Sequence, residues 1–200
     1  MPRVISGSAG GRALSAPNGS DTRPTSDRAK EALFSILGDR VSEAVFLDLF
    51  SGTGQIAIEA LSRGAAYAVL VDSARNSIRC IKDNIGKCGF EENSLVVCDD
   101  VLRFVRNYGK QILFDLVYID PPYADAVSYF RKIGLYLDEN TMLNNDAIIV
   151  LEHDSKCHPD DFVTNLKLKR CCKYGTVMLS FYERYAPIDE SCSAGGSDKK

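Results

Sequence analysis

Apolar positions along the chain follow two alternating rhythms. Short, mostly apolar runs bounded by Gly, Asp or Pro recur near residues 45–50, 67–72, 94–98, 114–120 and 147–152. Such runs predict strands buried on both faces. Between them lie stretches with helical spacing, near 26–37, 54–63, 74–88, 100–107 and 125–138. In the first, from about Ser26 to Leu37, Ala29, Ala32, Leu33 and Ile36 share one face. In the second, Ile56, Ala57, Ala60 and Leu61 do so, and Gly64 supplies a stop. In the third, Ile78, Ile81, Ile85 and Cys88 line one face and Gly89 ends the pattern. Strands alternating with helices predict a mostly parallel sheet with helices on both faces. Two further strands, near 166–173 and 176–184, meet at Tyr174-Gly175 and predict a C-terminal antiparallel hairpin.

The chain divides into an irregular segment over 1–23 with room for a small hairpin, a domain over 24–185, and a tail over 186–200 rich in Ser, Gly and charge that is expected to be disordered. Two hundred residues, 45% of them apolar, suffice for one sizeable core. No run approaches a membrane span and the N-terminus has no signal-peptide pattern. Seven cysteines without a C-x-x-C pair read as reduced thiols of a cytoplasmic protein. Cys80, Cys88 and Cys98 sit in apolar patterns and are expected in the core. His153, Cys157 and His158 lack the rest of a ligand set, so no metal is expected. No sustained apolar surface pattern asks for a partner copy, and the expectation is a monomer.

The chemistry concentrates at two strand ends. Asp120-Pro121-Pro122-Tyr123 directly follows the run Phe114–Ile119. Two prolines cannot continue a strand, so the chain turns out at its carboxyl end, where open α/β sheets bind ligands. The turn offers a carboxylate, two carbonyls outside any helix or sheet, and an aromatic face. That set suits a planar base with an exocyclic amine: the ring stacks, and the acceptors hold the amine hydrogens. The second strand end is Ser51-Gly52-Thr53-Gly54, which follows Val45–Phe50 and opens a helix. Gly52 to Ala57 also fits the dinucleotide pattern G-x-G-x-x-G/A, which keeps a nicotinamide or flavin enzyme in view. Asp48 argues the other way. A dinucleotide puts its pyrophosphate at the helix start, and a carboxylate just before the turn opposes an anion there and favours a cation. S-adenosylmethionine carries a sulfonium and an ammonium and no phosphate. Asp72 ends the next strand, 18 residues after Gly54, and can accept ribose hydroxyls in either cofactor class.

Asp48-Leu49-Phe50-Ser51-Gly52-Thr53-Gly54 with Asp120-Pro121-Pro122-Tyr123 resembles a class I S-adenosylmethionine-dependent methyltransferase acting on an amine nitrogen. Arg3–Gly7, Gly11–Leu14, Thr22–Arg28, Glu31–Leu37, Glu59–Ala65 and the closing Tyr174 to Tyr182 stretch narrow this. Together they resemble the bacterial 16S ribosomal RNA guanine-N2 methyltransferase family, from about residue 3 to about residue 184. The resemblance implies a Rossmann-like fold with a seven-stranded sheet and a reversed last strand. It also implies S-adenosylmethionine as cofactor and small-subunit ribosomal RNA as partner, within a protein-bound assembly. By the same resemblance, Asp48 and the backbone from Phe50 through Ser51, Gly52 and Thr53 to Gly54 hold the methionine end of the cofactor. Asp72 takes the ribose, and Asp100 with the amide of Val101 reads the adenine, with Asp99 as the substitute. Asp120, Pro121, Pro122 and Tyr123 receive a guanine flipped from its surroundings.

Charge qualifies the choice of partner. The net charge of −3 opposes RNA binding, but basic residues cluster. Residues 1–30 hold Arg3, Arg12, Arg23, Arg28 and Lys30 against Asp21 and Asp27, a net of +3. Arg3, Arg12, Arg23 and Arg28 are the candidates for phosphate contact, although Arg23 could instead anchor the segment to Asp27. A second cluster over 165–185 includes Lys167 and Lys169, which alternate as on a half-exposed edge strand that resists aggregation. Two alternatives stay open: an adenine-N6 methyltransferase on DNA or RNA, and a NAD-dependent oxidoreductase or non-catalytic adenosine-binding module.

Overall fold

A computed structural model describes residues 2–16, 26–108, 112–122 and 125–185. Helix α1 (Asp27–Leu37) starts where the Ser26 hydroxyl accepts the Ala29 N–H, a side-chain cap on an otherwise unpaired donor. A short 3-10 turn (Gly38–Val41) leads into β1 (Val45–Leu49). The chain then alternates through α2 (Gln55–Ser62), β2 (Tyr67–Asp72), α3 (Arg75–Cys88), β3 (Ser94–Cys98), α4 (Val101–Asn107), β4 (Phe114–Ile119) and α5 (Ala126–Glu139). It ends in four strands: β5 (Leu143–Asp154), β6 (Phe162–Val163), β7 (Leu166–Tyr174) and β8 (Val177–Arg184).

These strands form one sheet in the order β3-β2-β1-β4-β5-β8-β7-β6. The first five strands in that order pair in parallel, and β8, β7 and β6 pair antiparallel. Among the described residues the sheet has eight strands rather than the expected seven. The extra one, β6, is two residues long, too short to leave a period in the sequence. The order reverses between β1 and β4, and such a switch point opens a crevice at the strands' carboxyl ends.

Side-chain alternation divides the core in two. Phe46, Leu70, Leu116, Tyr118 and Val150 pack against α1, α2 and α3. Leu47, Leu49, Val69, Val71, Val117, Ile119 and Leu151 pack against α4 and α5. The buried side of α1 is rotated from the expected one: Ala29, Lys30, Leu33, Phe34 and Leu37 are buried. Lys30 turns inward because a buried carboxylate receives it, which an apolar count cannot register. Cys80 and Cys88 are buried, whereas Cys98 is exposed. It lies on β3, the sheet's outer strand, whose burial is only partial.

Residues 2–16 do form a small hairpin-like unit, with Arg3 and Ala13 bridged and Val4 and Leu14 fully buried. The unit is fastened to α2. Glu59 accepts the N–H groups of Ile5 (2.7 Å) and Ser6 (3.0 Å), and Ser62 accepts those of Ser8 (2.8 Å) and Ala9 (2.9 Å). Gly7 is required there: a Cβ would lie 1.8 Å from the Ser62 carbonyl oxygen, and φ is +86°. The expected tail over 186–200 lies outside the described residues. No helix among the described residues is long and apolar enough to cross a membrane.

Candidate active site

Four parallel strands end side by side. The Ser51 N–H reaches the Val71 carbonyl at 3.1 Å, Asp120 N–H the Leu49 carbonyl at 3.3 Å, and Asp99 N–H the Asp72 carbonyl at 3.1 Å. The tips of β3, β2, β1 and β4 are thereby laced together, and the two sequence-predicted strand ends are immediate neighbours. Phe46, Leu70, Tyr118 and Val150 belong to the core under α1–α3. Two residues beyond each, on the same face, stand Asp48, Asp72, Asp120 and Glu152. Strand order makes them a row: Asp72, Asp48, Asp120, Glu152.

The turn after β1 is shaped for close approach. Phe50, Gly52 and Gly54 all have positive φ, at 64°, 56° and 74°. For Phe50, a bulky residue, that conformation costs about 1–3 kcal/mol and marks a constrained site. The Gly52 N–H donates to Asp72 Oδ2 (2.9 Å), and the Ala74 N–H donates to Oδ1 (2.8 Å), which fixes that carboxylate. Ser51 is buried, and its hydroxyl donates to the Asp48 and Val71 carbonyls at 2.7 and 3.2 Å. It therefore shapes the turn instead of offering that hydroxyl to a ligand. The Thr53 carbonyl accepts from the buried Asn84 amide (2.9 Å), which also holds Ser15 through both its backbone groups.

Asp48 is 2% exposed, and its carboxylate accepts only a 3.3 Å bond from the Ala57 N–H among the described contacts. Burial, reinforced by the Asp72 charge, pushes its pKa up to about 8. Asp120 is half-buried at the next tip. Burial first, then the Glu152 and Asp48 charges, push its carboxyl well above the usual range. A row of carboxylates that repel one another is a site that a cation would relieve.

Asp100 caps α4 by accepting the Arg103 N–H (2.9 Å), and the Asp99 carboxylate is ion-paired with the Arg103 guanidinium. Pro121 is buried and Pro122 is exposed. The Pro122 carbonyl accepts the Asp125 N–H (3.1 Å), so one of the two carbonyls expected to face a base is engaged in closing the turn. Tyr123 and Arg23 lie outside the described residues. Arg3 is paired with Asp27 at 2.9 Å, the role weighed for Arg23, and an Arg12 N–H donates to the Lys87 carbonyl. Arg28 is exposed on α1. Lys30 adds nothing to a basic surface, because it is fully buried against Glu59 at 3.8 Å, and burial holds its pKa down.

Three participants escaped the sequence reading. Glu152 is 2% exposed and receives the Tyr118 hydroxyl. A glutamate ending the apolar run Ala147–Leu151 was the available signal. Asn84 and Glu59 sit on helix faces read by their apolar members alone. His153, considered for a metal, is buried and bonds Ser180 Oγ at 2.8 Å.

The chain is similar to several known proteins. The family model described as conserved hypothetical protein 95 matches residues 2–183. Ribosomal RNA small subunit methyltransferase D of Escherichia coli K12 is 32% identical over 186 residues, covering 92% of this chain and 90% of that protein. A Bacillus subtilis protein provisionally named as the rRNA methyltransferase YlbH is 34% identical over 183 residues, covering 91% and 98%. The solved structure of an Escherichia coli protein provisionally described as methyltransferase yhhF superposes with a TM-score of 0.80 at 29% identity, over 92% of this chain and 98% of that one.

Proposed function

The chain belongs to the family described as conserved hypothetical protein 95, and from that membership we propose that it methylates small-subunit 16S ribosomal RNA with S-adenosylmethionine, at the exocyclic N2 amine of a guanine. The observation that carries this reading is the carboxylate row at the switch point. Asp48 and Asp120 are both pushed toward the neutral acid, by burial first and then by neighbouring carboxylates: Asp72 beside Asp48, and Glu152 and Asp48 beside Asp120. A pyrophosphate would worsen that repulsion, whereas a sulfonium and an ammonium relieve it. The relatives support the same choice: one is named a ribosomal RNA small subunit methyltransferase, and the other is provisionally named an rRNA methyltransferase.

When bound, the cofactor supplies an electrophilic methyl group on sulfur. The residues do the rest. The turn from Phe50 to Gly54, with Asp48 beneath it, holds the methionine end. Asp72, already oriented by two backbone N–H groups, keeps lone pairs for the ribose hydroxyls. Asp100 and the Val101 amide, at the start of α4, take the adenine. Asp120 and the Pro121 carbonyl accept the hydrogens of the guanine amine. That amine's lone pair is delocalised into the ring, so acceptors that favour a pyramidal nitrogen make it a better nucleophile. Tyr123 stacks on the base, which contributes about 1–3 kcal/mol in comparable sites. Orientation for in-line displacement supplies much of the acceleration. Arg3, Arg12, Arg23 and Arg28 contact RNA phosphates, and the assembled subunit provides further contacts to an acidic enzyme.

The test is mass mapping of 16S ribosomal RNA from a strain lacking the gene. One guanine should lose a methyl group, and the purified protein with S-adenosylmethionine should restore it on small-subunit particles from that strain. An unchanged methylguanine pattern sinks the substrate assignment. Calorimetric binding of NAD with no response to S-adenosylmethionine sinks the cofactor assignment as well.

A further inference from the structure

The proposed reaction leaves a proton to place. As the N–CH3 bond forms and the S–CH3 bond breaks, the sulfonium becomes a neutral thioether and the amine nitrogen must lose one hydrogen as a proton. An isolated aspartate is a weak base for that proton. In this site Asp120 is not isolated. Ile119 and Leu151 are register partners of the parallel pair β4–β5, so Asp120 and Glu152, the next residue on each strand, stand side by side on one face. Glu152 is buried, and the phenol of the fully buried Tyr118 donates to it.

We propose that Glu152 is a positioning residue for the transfer, acting through Asp120: held by the Tyr118 hydroxyl beside the Asp120 carboxylate, it makes Asp120 the group that takes and keeps the amine's proton. The inference rests on the guanine-amine reading above. One N–H bond breaks and one O–H bond forms on Asp120, whose negative charge is discharged as the sulfonium loses its positive one. The like charge of Glu152 is the reason the proton stays, and the burial-driven rise of the Asp120 carboxyl agrees with it. Other groups near the pair among the described residues are these. Asp48 on β1 adds a further negative charge. The register partner of Glu152 on β8 is the apolar Leu179. Lys30 on α1, the buried cation on this side of the sheet, is engaged by Glu59, Gln55 and the Arg3 carbonyl.

Single-turnover methyl transfer to unmethylated small-subunit particles, followed across pH with labelled S-adenosylmethionine, tests this. In the wild type the rate should rise with pH through the titration of Asp120. Glu152→Gln keeps an acceptor for Tyr118 and removes the charge. It should bind S-adenosylmethionine within about twofold of wild type, lower the plateau rate about tenfold, and move the rising limb down by about one pH unit or more. Tyr118→Phe removes the donor that eases the Glu152 charge and should move the limb up. It also serves if Glu152→Gln does not fold. A rate loss with the limb unmoved means a merely structural role and overturns the inference. If the wild type transfers nothing to guanine N2, the parent reading falls; if it transfers and the limbs coincide, this inference alone falls.

Discussion

Asp48 shows how one residue can oppose stability and serve binding. Its pKa is about 8 in the folded chain against 3.8 ordinarily, so the folded state holds a proton that the unfolded state releases. The sign follows from linkage: between about pH 4 and pH 8 the native state binds more protons, and stability falls as pH rises through that window. Asp48→Asn should therefore stabilise the cofactor-free protein at pH 8 by on the order of 2 kcal/mol, with little gain near pH 4. Urea unfolding at the two pH values measures it. The same variant should lose affinity for S-adenosylmethionine, because the cation loses its counter-charge. Equal gain at both pH values would show that the carboxyl is not the cause. Asp120→Ala separates the roles at the neighbouring tip: cofactor binding should persist by calorimetry while methyl transfer falls about 100-fold or more. Full activity in that variant would remove Asp120 from the mechanism.

At the scale of elements, the N-terminal unit depends on α2 through Glu59. Two backbone N–H groups, Lys30 and Arg63 converge on one carboxylate with no exposed side-chain surface. Glu59→Ala leaves Lys30 buried without its counter-charge, a loss of about 3–5 kcal/mol. Amide exchange at Ile5 and Ser6 should accelerate more than exchange in β1 or β4. Uniform acceleration would mean that Glu59 supports the whole domain and not this junction. None of this was readable beforehand, and the reason is physical. Apolar period locates α2 and α3 well, because burial of Ile56 or Ile81 follows from spacing alone. Period is silent about Lys30, Glu59, Asn84 and Glu152, since a buried polar side chain is tolerated only if its partner, distant in sequence, arrives in the fold. The strand ends were legible for the opposite reason. Prolines at 121 and 122 and the glycines at 52 and 54 are local backbone constraints, and they announce a turn wherever the chain goes.

The whole molecule poses the question of how an acidic protein would engage the RNA proposed as its substrate. The basic N-terminal cluster is smaller in the fold than in the sequence, because Lys30 is buried and Arg3 is shared with Asp27. Few cations of this cluster are left among its described residues to displace counterions from a phosphate backbone, so the electrostatic part of free-RNA binding should be shallow. With about three phosphates neutralised, log Kobs should fall against log salt with a slope of about −2 for single-stranded RNA. Arg28→Ala, at an exposed position on α1, should flatten it by about 0.7. Shape contacts with an assembled subunit do not share this dependence, so activity on particles should resist salt better than binding to free 16S RNA. Titrations of free RNA and turnover on particles, each from 50 to 200 mM salt, compare the two directly. A free-RNA slope steeper than about −5 would mean a basic surface that Arg3, Arg12, Arg23 and Arg28 do not account for. The protein would then need no assembled partner to hold its substrate.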